Sequence, residues 1–195
     1  MARPVAHRSV LALAALAVVA GCDRPPPAAP AAPTAGVALD LPPDTVDVRG
    51  VARAEARVEP AGGGRAEGTV TFGRVDGGVR VRAVLSGLSE SDFHALQVLR
   101  GRDCAADPDV HLGADVGTPH GGPYAPPGLR HAGDLGNVRG DGGRGRYDRV
   151  DPVLTFDGTA SLVGRAVVVR AGRDDAASVG GAAGAVVGCG VIEAG

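Results

Sequence analysis

Residues 69–85 read Thr69-Val70-Thr71-Phe72-Gly73-Arg74-Val75-Asp76-Gly77-Gly78-Val79-Arg80-Val81-Arg82-Ala83-Val84-Leu85. In the second half, Val79, Val81, Ala83 and Leu85 fall on one side of an extended chain, and Arg80 and Arg82 fall on the other. This is the period-two alternation of a strand with one buried face. Thr69 to Phe72 alternates in the same way, and the Asp76-Gly77-Gly78 between them is a hairpin-type turn. The stretch therefore predicts an antiparallel strand pair.

The same rhythm recurs outward in both directions. Val46-Asp47-Val48 and Ala52 to Val58 precede it. Leu96 to Leu99, Gly145 to Val150, Leu162 to Arg170 and Gly184 to Ile192 follow, each bounded by Gly, Asp or Pro. Several short strands separated by turn residues predict an all-β sandwich or barrel. Composition agrees. The 195 residues include 32 Gly and 15 Pro, the two poorest helix formers, spread along the chain, and only five aromatics. Disorder does not fit, because 44% of residues are apolar and the net charge is −2. All 20 basic residues are Arg and none is clustered, so no nucleic-acid partner is expected.

The first residues read as an address. Arg3 and Arg8 precede an apolar run, Val10 to Ala20, too short for the roughly 20 residues of a spanning helix. The run ends in Val19-Ala20-Gly21-Cys22, and small residues just before a Cys resemble the lipobox of bacterial lipoproteins. Residues 1–21 are then a lipoprotein signal peptide, with Cys22 lipidated and the chain anchored to a membrane of the bacterial cell envelope. Ordinary secretory cleavage also uses small residues. The segment that follows is dominated by Pro and Ala as far as Gly36 and reads as an extended tether, 22–44, ahead of a domain at 45–195. Processing leaves 18 Arg against 22 acids. Apart from Cys22 the chain holds two cysteines, Cys104 and Cys189, 85 positions apart. In an exported protein these can form one disulfide or remain two buried thiols.

From Asp103 to Val138 alternation gives way to Gly, Pro, Asp and His, and a structureless loop of that length needs a function or a ligand to hold it. It carries His111, His120, His131 and Asp134. Three imidazoles and a carboxylate suit a tetrahedral zinc ion, although spacing alone leaves open three solvated histidines. Asp141-Gly142-Gly143-Arg144-Gly145-Arg146 has no strand-to-helix context for a phosphate cradle and reads as a hairpin turn.

Arg130-His131-Ala132-Gly133-Asp134-Leu135-Gly136-Asn137-Val138 closely resembles the zinc-loop motif of the copper/zinc superoxide dismutases, and His120-Gly121-Gly122-Pro123 resembles the segment before it. Gly87-Leu88, Gly164 to Val169, Asp174-Asp175 and Cys189-Gly190-Val191-Ile192 match further family segments in order, over roughly residues 53 to 193. The resemblance implies a Greek-key β-barrel with a long zinc-binding loop and a Cys104–Cys189 disulfide pinning that loop. It also implies zinc ligands His111, His120, His131 and Asp134, with His111 matching the family's bridging histidine. Asp174 matches a carboxylate that joins the zinc and copper ligands.

The copper positions depart from the family pattern. The strand that presents two copper histidines in the family is His94-Ala95-Leu96-Gln97-Val98-Leu99 here, which places Gln97 and Leu99 at the ligand positions. Reading Phe93-His94 as the family's Phe-His rescues one histidine but leaves Leu96 at the second. The third copper ligand corresponds to Arg170, and an arginine that guides superoxide corresponds to Val186. The expectation is zinc without copper: Arg170 fills the copper volume, hydrogen-bonded by the Gln97 carbonyl, Leu99 packs beside it, and His94 bonds main chain at the barrel edge. Three functional readings follow: a zinc-stabilised domain that acts by binding and is not a dismutase, a working superoxide dismutase with an unusual metal site, and a zinc-handling module. The sequence names no protein partner and leaves open a homodimer.

Overall fold

The computed structural model describes residues 50–90, 92–114 and 118–195. The signal peptide, Cys22, the tether and the strand expected at Val46–Val48 lie outside the described residues. Eight strands follow in order: β1 (Arg53–Pro60), β2 (Glu67–Val75), β3 (Gly78–Ser86), β4 (Phe93–Val98), β5 (Asp134–Arg139), β6 (Arg144–Asp151), β7 (Ala166–Arg170) and β8 (Val186–Ala194). All neighbours are antiparallel, and the sheet runs β5-β4-β7-β8-β1-β2-β3-β6, curling into a nearly closed barrel. Among the described residues the only helical pieces are two 3-10 turns, Gly158–Ala160 and Val179–Ala182.

Alternation explains the first three strands. Val79, Val81, Ala83 and Leu85 are buried and Arg80, Arg82 and Val84 point to solvent. Val75 pairs with Gly78 across a two-residue turn whose Gly77 takes φ +86, so the expected hairpin forms. The inward residues of β1, β2 and β3, Phe72 among them, join Leu96, Leu135, Phe156, Leu162 and Ile192 in the core. The run Ala166-Val167-Val168-Val169 is buried on both faces. Val167 and Val169 enter the core, while Ala166 and Val168 pack with Leu99 and Cys189 on the other side. A strand covered twice has no reason to alternate.

Two boundaries differ most from the sequence expectation. The strand expected from Leu162 begins only at Ala166, because Gly164 takes φ +81 and Arg165 N–H closes a turn on the Leu162 carbonyl. More consequentially, the loop expected to run from Asp103 to Val138 stops at Gly133. The residues after it, Asp134 to Arg139, form β5 and pair with β4. Gly136 at φ +87 and Asn137 interrupt the apolar pattern that would have marked this strand. Of the hairpin turn expected over Asp141–Arg146, Asp141 to Arg144 form the turn, with Gly142 and Gly143 both at positive φ and paired main-chain bonds between Asp141 and Arg144, while Arg144 to Arg146 already open β6. It joins the two outermost strands, β5 and β6, between which no ladder forms among the described residues.

The segment between β4 and β5 crosses the outside of the sheet. It is held at one end by the Cys104–Cys189 disulfide, Cα–Cα 5.9 Å, which resolves the choice left by the two cysteines.

Candidate metal centre

The four loop residues converge from three directions. His111 follows β4 directly: it bridges to Leu99, and Leu112 N–H bonds the Val98 carbonyl, so the chain on either side is fixed to the strand end. Asp134 opens β5, and His131 sits one turn before it. Asp134 Oδ2 accepts the main-chain N–H groups of His131 at 2.8 Å and Gly121 at 3.0 Å. That leaves Oδ1 facing three imidazoles, with Nδ1 of His111, His120 and His131 at 2.6, 3.1 and 3.3 Å.

Each imidazole is fixed from behind. Nε2 of His111 donates to the Pro108 carbonyl (3.1 Å), Nε2 of His120 to Asp174 Oδ1 (2.8 Å) and Nε2 of His131 to the Thr118 carbonyl (3.0 Å). These acceptors require a hydrogen on every Nε2, which turns every Nδ1 toward the centre. Nδ1 of His120 and of His131 are buried without a hydrogen-bond partner. Buried polar atoms are rarely left so, and a cation that accepts their lone pairs satisfies both. The four ligand atoms lie within 4.8 Å of one another, so the residues fit a single divalent ion.

The electrostatics of the protein groups point the same way. Burial opposes a charge on His120, yet the carboxylates of Asp134 and Asp174 raise its pKa to about 9. Burial likewise opposes ionisation of Asp134, but the neighbouring His111 and His120 and the Gly121 N–H hold its carboxyl well below the usual range. The centre is a site of strong negative potential in which positive charge is stabilised.

Beside it stands a second cluster. The β4–β5 ladder slips by one residue between Leu96 and Gln97, and the β7–β8 ladder slips between Val169 and Arg170. Such bulges re-aim side chains. Arg170 is almost fully buried. Its Nη1 donates to Gln97 Oε1 at 3.2 Å and to the Pro108 carbonyl at 2.9 Å, its Nε to the Gly184 carbonyl at 2.6 Å, and Asp109 Oδ1 lies 3.2 Å from Nη2. Gln97 Nε2 donates to Asp174 Oδ2 at 3.0 Å. Leu99 is buried against Ala166 and Val168.

The family model described as copper/zinc superoxide dismutase (SODC) matches residues 66–192. The chain belongs to the copper/zinc superoxide dismutase family. The Superoxide dismutase [Cu-Zn] of Paramecium bursaria Chlorella virus 1 is 34% identical over 140 residues, covering 66% of this chain and 73% of its own length. Superoxide dismutase [Cu-Zn] A of Xenopus laevis is 32% identical over 142 residues, covering 68% and 92%. A crystal structure of the clock protein EA4 superposes with a TM-score of 0.63 at 30% identity, over 73% of this chain and 94% of that one.

The copper/zinc superoxide dismutase resemblance named His111, His120, His131 and Asp134 together, and the structure brings all four to one point. Asp174 touches His120 and Gln97, and is itself clamped by Asn137, whose side chain bonds both main-chain groups of Asp174. Gln97 and Arg170 meet as expected. His94 is buried, and among the described residues its ring bonds main chain, the Ser89 N–H and the Arg170 carbonyl. Sequence reasoning missed Pro108 and Asp109, which carry no local signal of their contact with Arg170. It also missed the buried pair Arg130–Asp151, in which Arg130 Nη2 lies 2.7 and 2.6 Å from the two carboxylate oxygens. Arg130 Nη1 bonds the carbonyl of His131, so this pair anchors the end of the metal loop.

Proposed function

We propose that this chain is an envelope-tethered member of the family that holds one zinc ion as a structural element, does not dismutate superoxide, and acts by binding. The observation that carries the reading is the occupancy beside His111. The residues assigned to the copper ligands are an amide, an alkyl group and a guanidinium, and Arg170 and the Pro108 carbonyl stand against each other there at 2.9 Å. A cationic donor with no lone pair does not ligate copper, and His111 Nε2 is already engaged by Pro108. Copper therefore does not fit these residues. Zinc has no redox chemistry, so a zinc site alone supplies no one-electron step.

Four protein ligands with no open position suit a structural zinc, and their burial and interlocking favour a scaffold ion over an exchanging cargo. The names of the viral and Xenopus relatives favour the second reading, a working dismutase. A protein named for a clock shares the fold, however, and fold alone does not set activity. The tether rests on the sequence of residues 1–44.

The deciding experiment loads the full chain with copper and zinc, dialyses it against a mild chelator, and measures metal content and superoxide decay. One zinc, no copper and no decay above buffer is the expected result. Stoichiometric copper with superoxide turnover overturns the reading. Substituting Cys22→Ser is expected to move the chain from the membrane to the soluble fraction.

A further inference from the structure

We propose that Arg170 is the positioning residue of the metal centre: its guanidinium fixes in place the two acceptors, the Pro108 carbonyl and, through Gln97, the Asp174 carboxylate, that keep His111 and His120 in the tautomer presenting Nδ1 to a metal. The proposal rests on the metal reading above and goes beyond it, because it assigns a role in zinc binding to a residue that touches no ligand.

Two relays leave the guanidinium. In the first, Arg170 Nη1 donates to the Pro108 carbonyl at 2.9 Å, and the same oxygen accepts from His111 Nε2 at 3.1 Å. In the second, Nη1 donates to Gln97 Oε1 at 3.2 Å. An amide whose oxygen is taken must present its NH2 elsewhere, and Gln97 Nε2 donates to Asp174 Oδ2 at 3.0 Å. Asp174 Oδ1 then accepts from His120 Nε2 at 2.8 Å. Each relay ends by keeping the hydrogen on Nε2 and the lone pair on Nδ1. His131 is on neither, since its Nε2 is fixed by Thr118.

The anchorage of Arg170 is built for this. Nε bonds the Gly184 carbonyl, Asp109 supplies a counter-charge at 3.2 Å, and Asp109 packs where a side chain on Gly180 would stand. Acceptors on three separate segments, at Gln97, at Pro108–Asp109 and at Gly184, need the planar fork of an arginine; a lysine ammonium cannot span them. The arrangement also limits the site to one ion, because the nitrogen of His111 that could reach a second metal is bonded to main chain.

The test compares the full chain, purified in detergent, with its Arg170→Met, Arg170→Lys and Gln97→Leu variants. Zinc affinity is measured against a competing chelator, and histidine tautomers by 15N chemical shifts of the metal-free chain at a pH where the imidazoles are neutral. In the wild type, His111, His120 and His131 are expected as the Nε2–H form. Arg170→Met should weaken zinc by about 10–100-fold and mix the tautomers of His111 and His120, leaving His131 unchanged. Arg170→Lys should not restore them, and Gln97→Leu should affect His120 alone. Arg170→Met with affinity within about twofold of wild type and unchanged shifts overturns the proposal. Should Arg170→Met not fold, an unaltered His120 in Gln97→Leu overturns it equally. A wild type that takes up no zinc overturns the metal reading itself.

Discussion

The Arg130–Asp151 pair offers a sharp test of how the loop is fixed. Both side chains are fully buried. The Asp151 carboxylate accepts from Arg130 Nη2 through both oxygens and from the N–H groups of Val153 at 2.9 Å and Leu154 at 3.1 Å. Asp151→Ala removes all four bonds and leaves a guanidinium enclosed without a counter-charge. Breaking a buried pair from one side costs about 3–5 kcal/mol, and about 2–4 °C of melting temperature accompanies each kcal/mol in a domain of this size. Arg130→Met alone leaves the carboxylate stranded at a similar cost, softened by its two amide donors. Replacing both with apolar groups removes both charges, so the double variant should cost far less than the two singles together. Urea denaturation of the zinc-loaded chain measures the cycle. A loss under about 1 kcal/mol for Asp151→Ala, or strictly additive losses, would refute the assignment of this pair as a desolvated anchor.

Other outcomes follow from the same geometry. Reducing Cys104–Cys189, or replacing both with Ser, opens an 85-residue loop and should cost about 4.5 kcal/mol in the chain-entropy picture, read from urea midpoints with and without reductant. His131→Ala should lower the melting temperature and admit protease between residues 103 and 133; a melting curve unchanged by the substitution and by chelator contradicts a structural metal. Burial pushes the Tyr147 phenol up to about 12, and its hydroxyl donates to the Leu135 carbonyl at 2.7 Å. Because the folded pKa is the higher, this contribution is complete below the unfolded value of about 10 and is lost as pH rises toward 12. Ultraviolet titration should show one phenol ionising late, and Tyr147→Phe should flatten the fall of stability over that window.

What could be read in advance follows the range of the interactions. Strands β1, β2 and β3 announce themselves because each has one wet face, so alternation records their burial. β5 does not, since five of its six residues are buried or nearly so and a positive-φ Gly breaks the pattern. The residues of the candidate metal centre were legible through a contiguous motif, Arg130 to Val138, that carries two of them. The contact of Gln97 with Arg170 was inferred from two substitutions in one place. Pro108 and Asp109 were not, because a main-chain carbonyl and an ordinary surface-type acid gain their roles only when the disulfide-bound segment is laid across β7. Arg130 and Asp151 are opposite charges 21 positions apart, and nothing local couples them.

The barrel is open along one line, where β5 and β6 share a turn but no ladder among the described residues. A cylinder slit along its length resists bending and yields to torsion, so twisting motions of this fold gather at that line. Asp134 is the first residue of β5 and lies on its lip, and Tyr147 reaches across from β6 to the carbonyl of the next residue, Leu135. One hydroxyl thus acts as a rivet on the slit beside the candidate metal centre, and amide exchange along β5 reports how often the slit gapes.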